Sequence, residues 1–260
     1  MKFAIVGLGK MGSNIALQAL EKGFEVVGFD LKKKEALEKK GAVLTTDIKQ
    51  LKQLLEAPRI VFLWVPAGPI VDKVLEQLTT VLEKGDIVVD GGNSFFRDSQ
   101  VRYKRLSDRD IHFIDLGTSG GIEGARYGAA FMAGGETVAT ERVEPILKKL
   151  AVEGGYIHTG APGTGHFVKL IHNAIEFGML QAIGEGFALL KKSEFDLDIT
   201  AIFENWTHGS VIRSWLVELM AKGLKEHKGS FDDISSYVED TGEVNWAVEE
   251  ALKMEVPIPV

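Results

Sequence analysis

The chain has 260 residues, 45% of them hydrophobic and 26% charged, the balance of an ordinary water-soluble globular protein with room for one or two domains. Its formal net charge of −7 argues against unspecific nucleic-acid binding, which needs a basic surface, and leaves room for a small anionic ligand held by a local cluster of donors. The absence of cysteine excludes disulfides, thiolate metal sites and cysteine nucleophiles and fits a reducing cytoplasm, and no metal site is expected.

In chain order, the first segment "KFAIVG" reads as a buried strand that leads directly into Gly7-x-Gly9-x-x-Gly12 and the helical pattern "GSNIALQALEKG". It is too short an apolar run for a signal peptide, and nothing later approaches the ~18 uncharged apolar residues of a membrane span. Gly7 suits a tight turn, Gly9 lets the backbone approach a pyrophosphate, and Gly12 permits close helix–strand packing. Leu8, Lys10 and Met11 complete this cofactor-binding loop, and the helix N-terminus offers N–H groups to phosphates. The next strand, "EVVGFD", ends at Asp30, 18 residues beyond Gly12. Its carboxylate can accept hydrogen bonds from both adenosine ribose hydroxyls and repels a 2′-phosphate, which favours NAD over NADP. The following Lys32, Lys33 and Lys34 read as a solvated helix turn rather than a phosphate clamp.

Further apolar runs, "RIVFLWV", "DIVVDGG" and "HFIDLG", read as strands, with "KKKEALEKKG", "IVDKVLEQLTTVLEKG" and "ATERVEPILKKL" as helices between or after them. This alternation predicts a Rossmann-type, doubly wound parallel sheet. Two loops lie at carboxyl ends of its strands, where ligands bind in open α/β sheets. "DGGNS" carries Asn93. "DLGTSGGIEGARYG" carries Ser119, Gly120 and Gly121, either an anion-binding nest of one hydroxyl and successive N–H groups or a turn without a ligand.

Beyond "GGYIHTGAPGTG" the strand pattern stops. A boundary is expected near Ala161, separating a dinucleotide-binding domain over 1–160 from an all-helical substrate and dimerisation domain over 161–260. One long helix is predicted from His166 to about Lys192, spanning roughly 40 Å. Its residues Val168, Ile171, Ile175 and Met179 form an apolar side, and strongly apolar neighbours suggest a helix packed on most sides. Yet Lys169, His172, Asn173 and Glu176 fall at i, i+3, i+4 and i+7, on one face. They form either a solvated stripe, with His172 and Glu176 as an i,i+4 pair, or a functional row. In the second case a lysine among apolar neighbours can serve as a base and a partly buried glutamate as an acid.

"GTGHFVKLIHNAIEFGMLQAIGEG" resembles the catalytic helix of the 6-phosphogluconate dehydrogenases, decarboxylating members of the β-hydroxyacid dehydrogenase superfamily. "GLGKMG", "VPAG", "DGGNS" and "SGGIEGARYG" match that family in the same order, and "ENWTHGSVIRSWL" and "DTGEVNW" resemble its short, NAD-preferring branch. The resemblance implies Lys169 as the base at the substrate's C3 hydroxyl and Glu176 as the acid at C1. It implies Asn93, His172 and Asn173 as hydroxyl ligands, with Ser119, Gly120 and Gly121 holding the carboxylate. Val65, Pro66, Ala67 and Asn93 join the cofactor loop. It also implies a sugar-acid phosphate as substrate and a homodimer or higher homo-oligomer, with no nucleic-acid or membrane partner.

The alternatives are a dehydrogenase of an unphosphorylated 3-hydroxy acid of the 3-hydroxyisobutyrate type, which generally lacks the His and Glu of this row, and a non-catalytic dinucleotide-binding protein. The long-chain enzymes carry a phosphate-contacting tyrosine where this chain has Phe177, and a lysine and a threonine where it has Asn245 and Ala247. Their later arginine and arginine–histidine tail lie beyond the equivalent of Val260. Phosphate binding is therefore expected to strengthen in a longer form, with Arg213 the nearest candidate here.

Overall fold

The computed structural model describes residues 1–32, 34–238 and 241–258. They fall into two compact units, Met1–Leu170 and Ile171–Val260.

The first unit holds an eight-stranded sheet. Its strands are β1 Lys2–Val6, β2 Glu25–Phe29, β3 Val43–Thr45 and β4 Ile60–Leu63, then β5 Ile87–Asp90, β6 His112–Ser119, β7 Ala129–Gly134 and β8 Ala151–Gly160. The spatial order is β3-β2-β1-β4-β5-β6-β7-β8, so the order reverses between β1 and β4. Every pairing is parallel except β6 with β7. Among the described residues seven α-helices and one 3-10 turn, Ile48–Gln50, connect the strands: α1 Lys10–Glu21, α2 Glu35–Glu38, α3 Leu51–Leu54, α4 Pro69–Leu78, α5 Phe96–Ser107, α6 Gly121–Tyr127 and α7 Thr137–Leu150.

Side-chain alternation along the strands builds two cores, one on each face of the sheet. Phe3, Ile5, Phe62, Ile87, Val89, Ile114 and Leu116 join Ile15 and Ala19 of α1 and Val143 and Ile146 of α7. Ala4, Val6, Val61, Leu63, Val88 and Phe113 join Val71 and Leu75 of α4 and Leu106 of α5. Burying each large apolar side chain contributes about 1.5–3 kcal/mol, and strands buried on both faces read as continuous apolar runs.

Three strands escape the sequence pattern. β3 has three residues at the sheet edge, β7 is "AAFMAG", poor in β-branched residues, and β8 is interrupted by Gly154 and Gly155. The antiparallel β6–β7 pair follows from its connection. Residues 120–128 are too few for the crossover that a parallel neighbour needs.

The helix α8, Thr164–Lys192, begins in the first unit and continues into the second. The second unit adds α9 Ile199–Trp206, α10 Trp215–Glu226 and α11 Glu243–Lys253. Ile183, Phe187 and Leu190 of α8, spaced to share one face, pack with Phe203, Val217, Ala221, Leu224 and Phe231. Asp198 and Ser214 cap α9 and α10 by accepting the N–H groups of Ala201 and Val217. The apolar side of α8 departs from expectation. Leu170 and Asn173 are buried, but Val168, Ile171, Ile175, Phe177, Met179 and Leu180 are exposed. Among the described residues no helix is long and apolar enough to cross a membrane.

Candidate active site

The loop after β1 is built by exclusion. Gly7 has φ +90°, and a Cβ there would lie 2.4 Å from the Trp64 carbonyl oxygen. A Cβ on Gly12 would lie 1.9 Å from the Gly7 oxygen, so α1 packs directly on the turn. Gly9 faces open space and lines a cavity of about 450 Å³. Lys10 and Met11 of α1, Trp64, Val65 and Pro66 after β4, Gly91, Gly92 and Asn93 after β5, and Thr118 of β6 complete its wall. This is the carboxyl edge of the sheet, at the β1/β4 order reversal, where doubly wound folds hold their ligands.

Gly9, Lys10, Met11, Val65, Pro66 and Asn93 thus meet at one cavity. Gly7, Leu8, Gly12, Asp30 and Ala67 lie outside its wall. The Leu8 N–H donates to Asp30 Oδ2 at 2.7 Å and the Lys32 N–H to Oδ1 at 3.1 Å, so Asp30 braces the glycine loop as well as standing at the end of β2. Lys32 is exposed, Lys34 is the N-cap of α2, and Lys33 lies outside the described residues. Trp64, Gly91, Gly92 and Thr118 also line the cavity, Trp64 directly before "VPAG" and the other three inside the "DGGNS" and "DLGTSGGIEGARYG" loops, where only Asn93, Ser119, Gly120 and Gly121 were expected to meet a ligand.

Asn93 is bracketed by Asp90, which is fully buried. Its Oδ1 accepts the Gly92 N–H at 3.1 Å and its Oδ2 the Ser94 hydroxyl at 2.8 Å. Arg102 of α5, only 2% exposed, places Nη1 3.7 Å from the same carboxylate. It also donates to the Gly68 carbonyl at 3.1 Å and to both oxygens of Asp72, at 3.1 and 2.9 Å. The hydrogen bond from Arg102 holds the Asp72 carboxyl below its usual range. One guanidinium thereby joins the loops after β4 and β5.

Ser119 ends β6, and Gly120 and Gly121 follow with φ of 127° and 57°. A Cβ on Gly121 would meet nothing, so its backbone is open, but none of the three lines the cavity, which β6 reaches through Thr118.

The start of α8 is fastened to β6. Asp115, fully buried, accepts the Gly163 N–H at 2.6 Å and the His166 N–H at 2.7 Å. Burial pushes its carboxyl above the ordinary aspartate range, and His166 and these N–H donors oppose that rise. The His166 Nδ1 lies 2.7 Å from the Ser99 hydroxyl of α5. Lys169 is half-buried, and a Cβ on Gly117 would lie 2.6 Å from its own Cβ.

One helix carries the whole row of Lys169, His172, Asn173 and Glu176. Within the second unit His172 Nδ1 lies 3.2 Å from Asn173 Oδ1 and 3.6 Å from Glu176 Oε2. The His172 and Glu176 side chains are 37% and 38% exposed, whereas Asn173 is buried. Arg213 is exposed in the turn before α10 rather than on a helix, and Asn245 and Ala247 lie on α11.

Comparison with known proteins covers both units. A family model described as the NAD binding domain of 6-phosphogluconate dehydrogenase matches residues 2–160, and one described as the 6-phosphogluconate dehydrogenase C-terminal domain matches 165–260. The chain is 45% identical over 262 residues to Bacillus subtilis YqeC, covering 100% of this chain and 88% of that protein. YqeC's own assignment as a 6-phosphogluconate dehydrogenase is provisional. Identity is 38% over 263 residues to the NAD(+)-dependent, decarboxylating 6-phosphogluconate dehydrogenase of Haloferax volcanii, covering 100% of this chain and 87% of the relative. Among solved structures, Plasmodium falciparum 6-phosphogluconate dehydrogenase superposes with a TM-score of 0.89 at 29% identity, over 100% of this chain and 59% of that one.

Proposed function

The chain belongs to the 6-phosphogluconate dehydrogenase family, and from that premise we propose that it catalyses the NAD-dependent oxidative decarboxylation of 6-phosphogluconate to ribulose 5-phosphate and CO₂. The observation that carries this reading is the row of Lys169, His172, Asn173 and Glu176 on one 29-residue helix. Residues 1–160 are assigned to the dinucleotide and 161–260 to substrate and dimerisation.

The cavity fits a dinucleotide because Gly9 presents bare backbone to open space and side chains at Gly7 or Gly12 would collide with the loop itself. Held by the Gly7–Gly12 loop, a bound dinucleotide would supply the acceptor for the hydride that leaves C3 of the substrate. Lys169 Nζ, as the neutral amine, takes the proton of the C3 hydroxyl. The resulting ketone stands β to the carboxylate, so the C1–C2 bond breaks with its electron pair drawn toward the ketone, and CO₂ leaves. Lys169, now protonated, donates a hydrogen bond to that oxygen. The Glu176 carboxyl then delivers a proton to the carbon that becomes C1 of the product. Asn93, His172 and Asn173 orient the hydroxyls, and Ser119 with the Gly120 and Gly121 N–H groups holds the carboxylate.

The defining assay follows NADH and CO₂ together from 6-phosphogluconate, with one CO₂ expected per NADH. NADH formed only from unphosphorylated 3-hydroxy acids, without CO₂, points to the 3-hydroxyisobutyrate type of reaction. Dinucleotide binding without turnover on either points to a non-catalytic binding protein.

Asp30 is assigned the choice of NAD over NADP through repulsion of a 2′-phosphate. Because it also braces Leu8, the informative change is Asp30→Asn with Leu31→Arg, which keeps an acceptor for the Leu8 N–H and reverses the local charge. The NADP-to-NAD ratio of kcat/KM is expected to rise by at least ~10-fold, or about 1.4 kcal/mol. A wild-type enzyme preferring NADP would assign the lysine run a phosphate-clamping role instead.

A homodimer is also assigned, supported by the exposed Ile171, Ile175, Phe177, Met179 and Leu180 of α8. Light scattering at micromolar concentration is expected to give twice the chain mass.

A further inference from the structure

We propose that Asp115 is a positioning residue that sets the register of α8 on β6 and thereby places the Lys169 amine. This inference rests on Lys169 being the base of the proposed reaction.

Side chains two apart on a strand share a face, so Asp115, Gly117 and Ser119 line one side of β6. Gly165 and Lys169, four apart on α8, share a helix face. The two faces meet residue by residue. A Cβ on Gly165 would lie 2.2 Å from the Asp115 carbonyl oxygen and 2.5 Å from that of Met132, so the first turn of α8 rests on the backbone of β6 and β7. One turn later a Cβ on Gly117 would lie 2.6 Å from the Lys169 Cβ. At this closeness the helix has no freedom to approach, and only an attraction keeps it from sliding or lifting.

Asp115 supplies that attraction from β6, beside the contacts of His166 with Ser99 of α5 and of Thr164 with Thr159 of β8. Its two oxygens take one N–H each, from Gly163 at 2.6 Å and His166 at 2.7 Å, so they resist both translation and rotation of the first turn. The first-turn N–H groups of a helix lack intrahelical partners, and a carboxylate there is favoured by the helix dipole. Here the acceptor comes from a strand 48 residues before Gly163 rather than from a local cap, so the bond fixes one element against another. Lys169 begins three residues beyond the second of these bonds, and displacement of the turn by ~1 Å is carried directly to its side chain.

Asp115→Asn tests the proposal, because the amide keeps one acceptor but turns an N–H₂ toward a backbone N–H. Two readings are taken in parallel. One is steady-state kinetics with NADH affinity by fluorescence; the other is the rate of reductive methylation of each lysine, read by peptide mass spectrometry. The expected result is a kcat lower by ~10–100-fold, NADH affinity within about twofold of wild type, and a Lys169 methylation rate changed while the other lysines keep theirs. Unchanged kcat and unchanged Lys169 methylation in a folded variant overturn the proposal. So does a loss of NADH affinity parallel to that of kcat, which marks general loosening of the sheet.

Should Asp115→Asn not fold, Gly117→Ala keeps the Asp115 carboxylate but presses a methyl group on the Lys169 Cβ and the Gly165 carbonyl, so that the first turn of α8 shifts against β6, and the same selective signature is expected. Its absence overturns the proposal equally. If wild type does not turn over 6-phosphogluconate, the proposed function fails, and the Lys169 methylation rate alone still decides whether Asp115 positions that amine.

Discussion

Lys169→Ala is expected to lower kcat for 6-phosphogluconate oxidation by about 10²–10⁴-fold, the range associated with loss of a general base, while NADH still binds. The separation follows from where the side chain begins and ends. Its Cβ is the atom packed against Gly117, and alanine keeps it, so the seating of α8 on β6 survives the change. What is lost is the half-buried stem and the amine. The cavity wall comes from the ends of β1, β4, β5 and β6 and does not include Lys169, so every residue that lines it is kept. Stopped-flow measurement of the first NADH formed, beside a fluorescence titration with NADH, separates the two. Near-normal turnover in this variant would assign the base to another residue.

The legibility of the sheet tracks strand burial. β1, β2, β4, β5 and the start of β6 are covered on both faces, so the sequence shows continuous runs of Val, Ile, Leu and Phe. β7 and β8 carry alanine and glycine where the chain passes close to other backbone. A Cβ on Gly134, for instance, would lie 2.5 Å from the Gly165 nitrogen. Local propensity cannot reveal such a strand, because the residues are chosen for what crosses them rather than for their own β preference.

The candidate site divides along the same line. The glycine loop, "DGGNS" and the α8 row were legible because each is a local pattern whose spacing carries its chemistry. Arg102 gave no such signal. It is one of several charged residues of α5, yet it is buried and joined to Asp72, 30 residues earlier. Asp115 was equally silent inside an apolar strand, since its partners lie 48 and 51 residues on. The motifs name the groups proposed to meet the ligands. The bonds that aim those groups are long-range and became visible only when the chain was folded.

Glu176→Gln is expected to separate the end of the reaction from its beginning. Glutamine has the shape of glutamate and can still face His172, which lies 3.6 Å from the native carboxylate, so helix geometry and substrate binding should persist. An amide cannot deliver a proton as a carboxyl group does, and protonation of the enediol is expected to slow by about 10²–10⁴-fold. Proton exchange at C1 of ribulose 5-phosphate in heavy water, followed by NMR, reads that step without hydride transfer. A merely structural role for the His172–Glu176 pair leads elsewhere. A half-exposed i,i+4 pair contributes only about 0.3–0.5 kcal/mol, so its loss would shift the melting temperature slightly and leave exchange at the wild-type rate. Slow exchange with a normal melting curve assigns Glu176 the acid role, whereas unchanged exchange moves that role to another group.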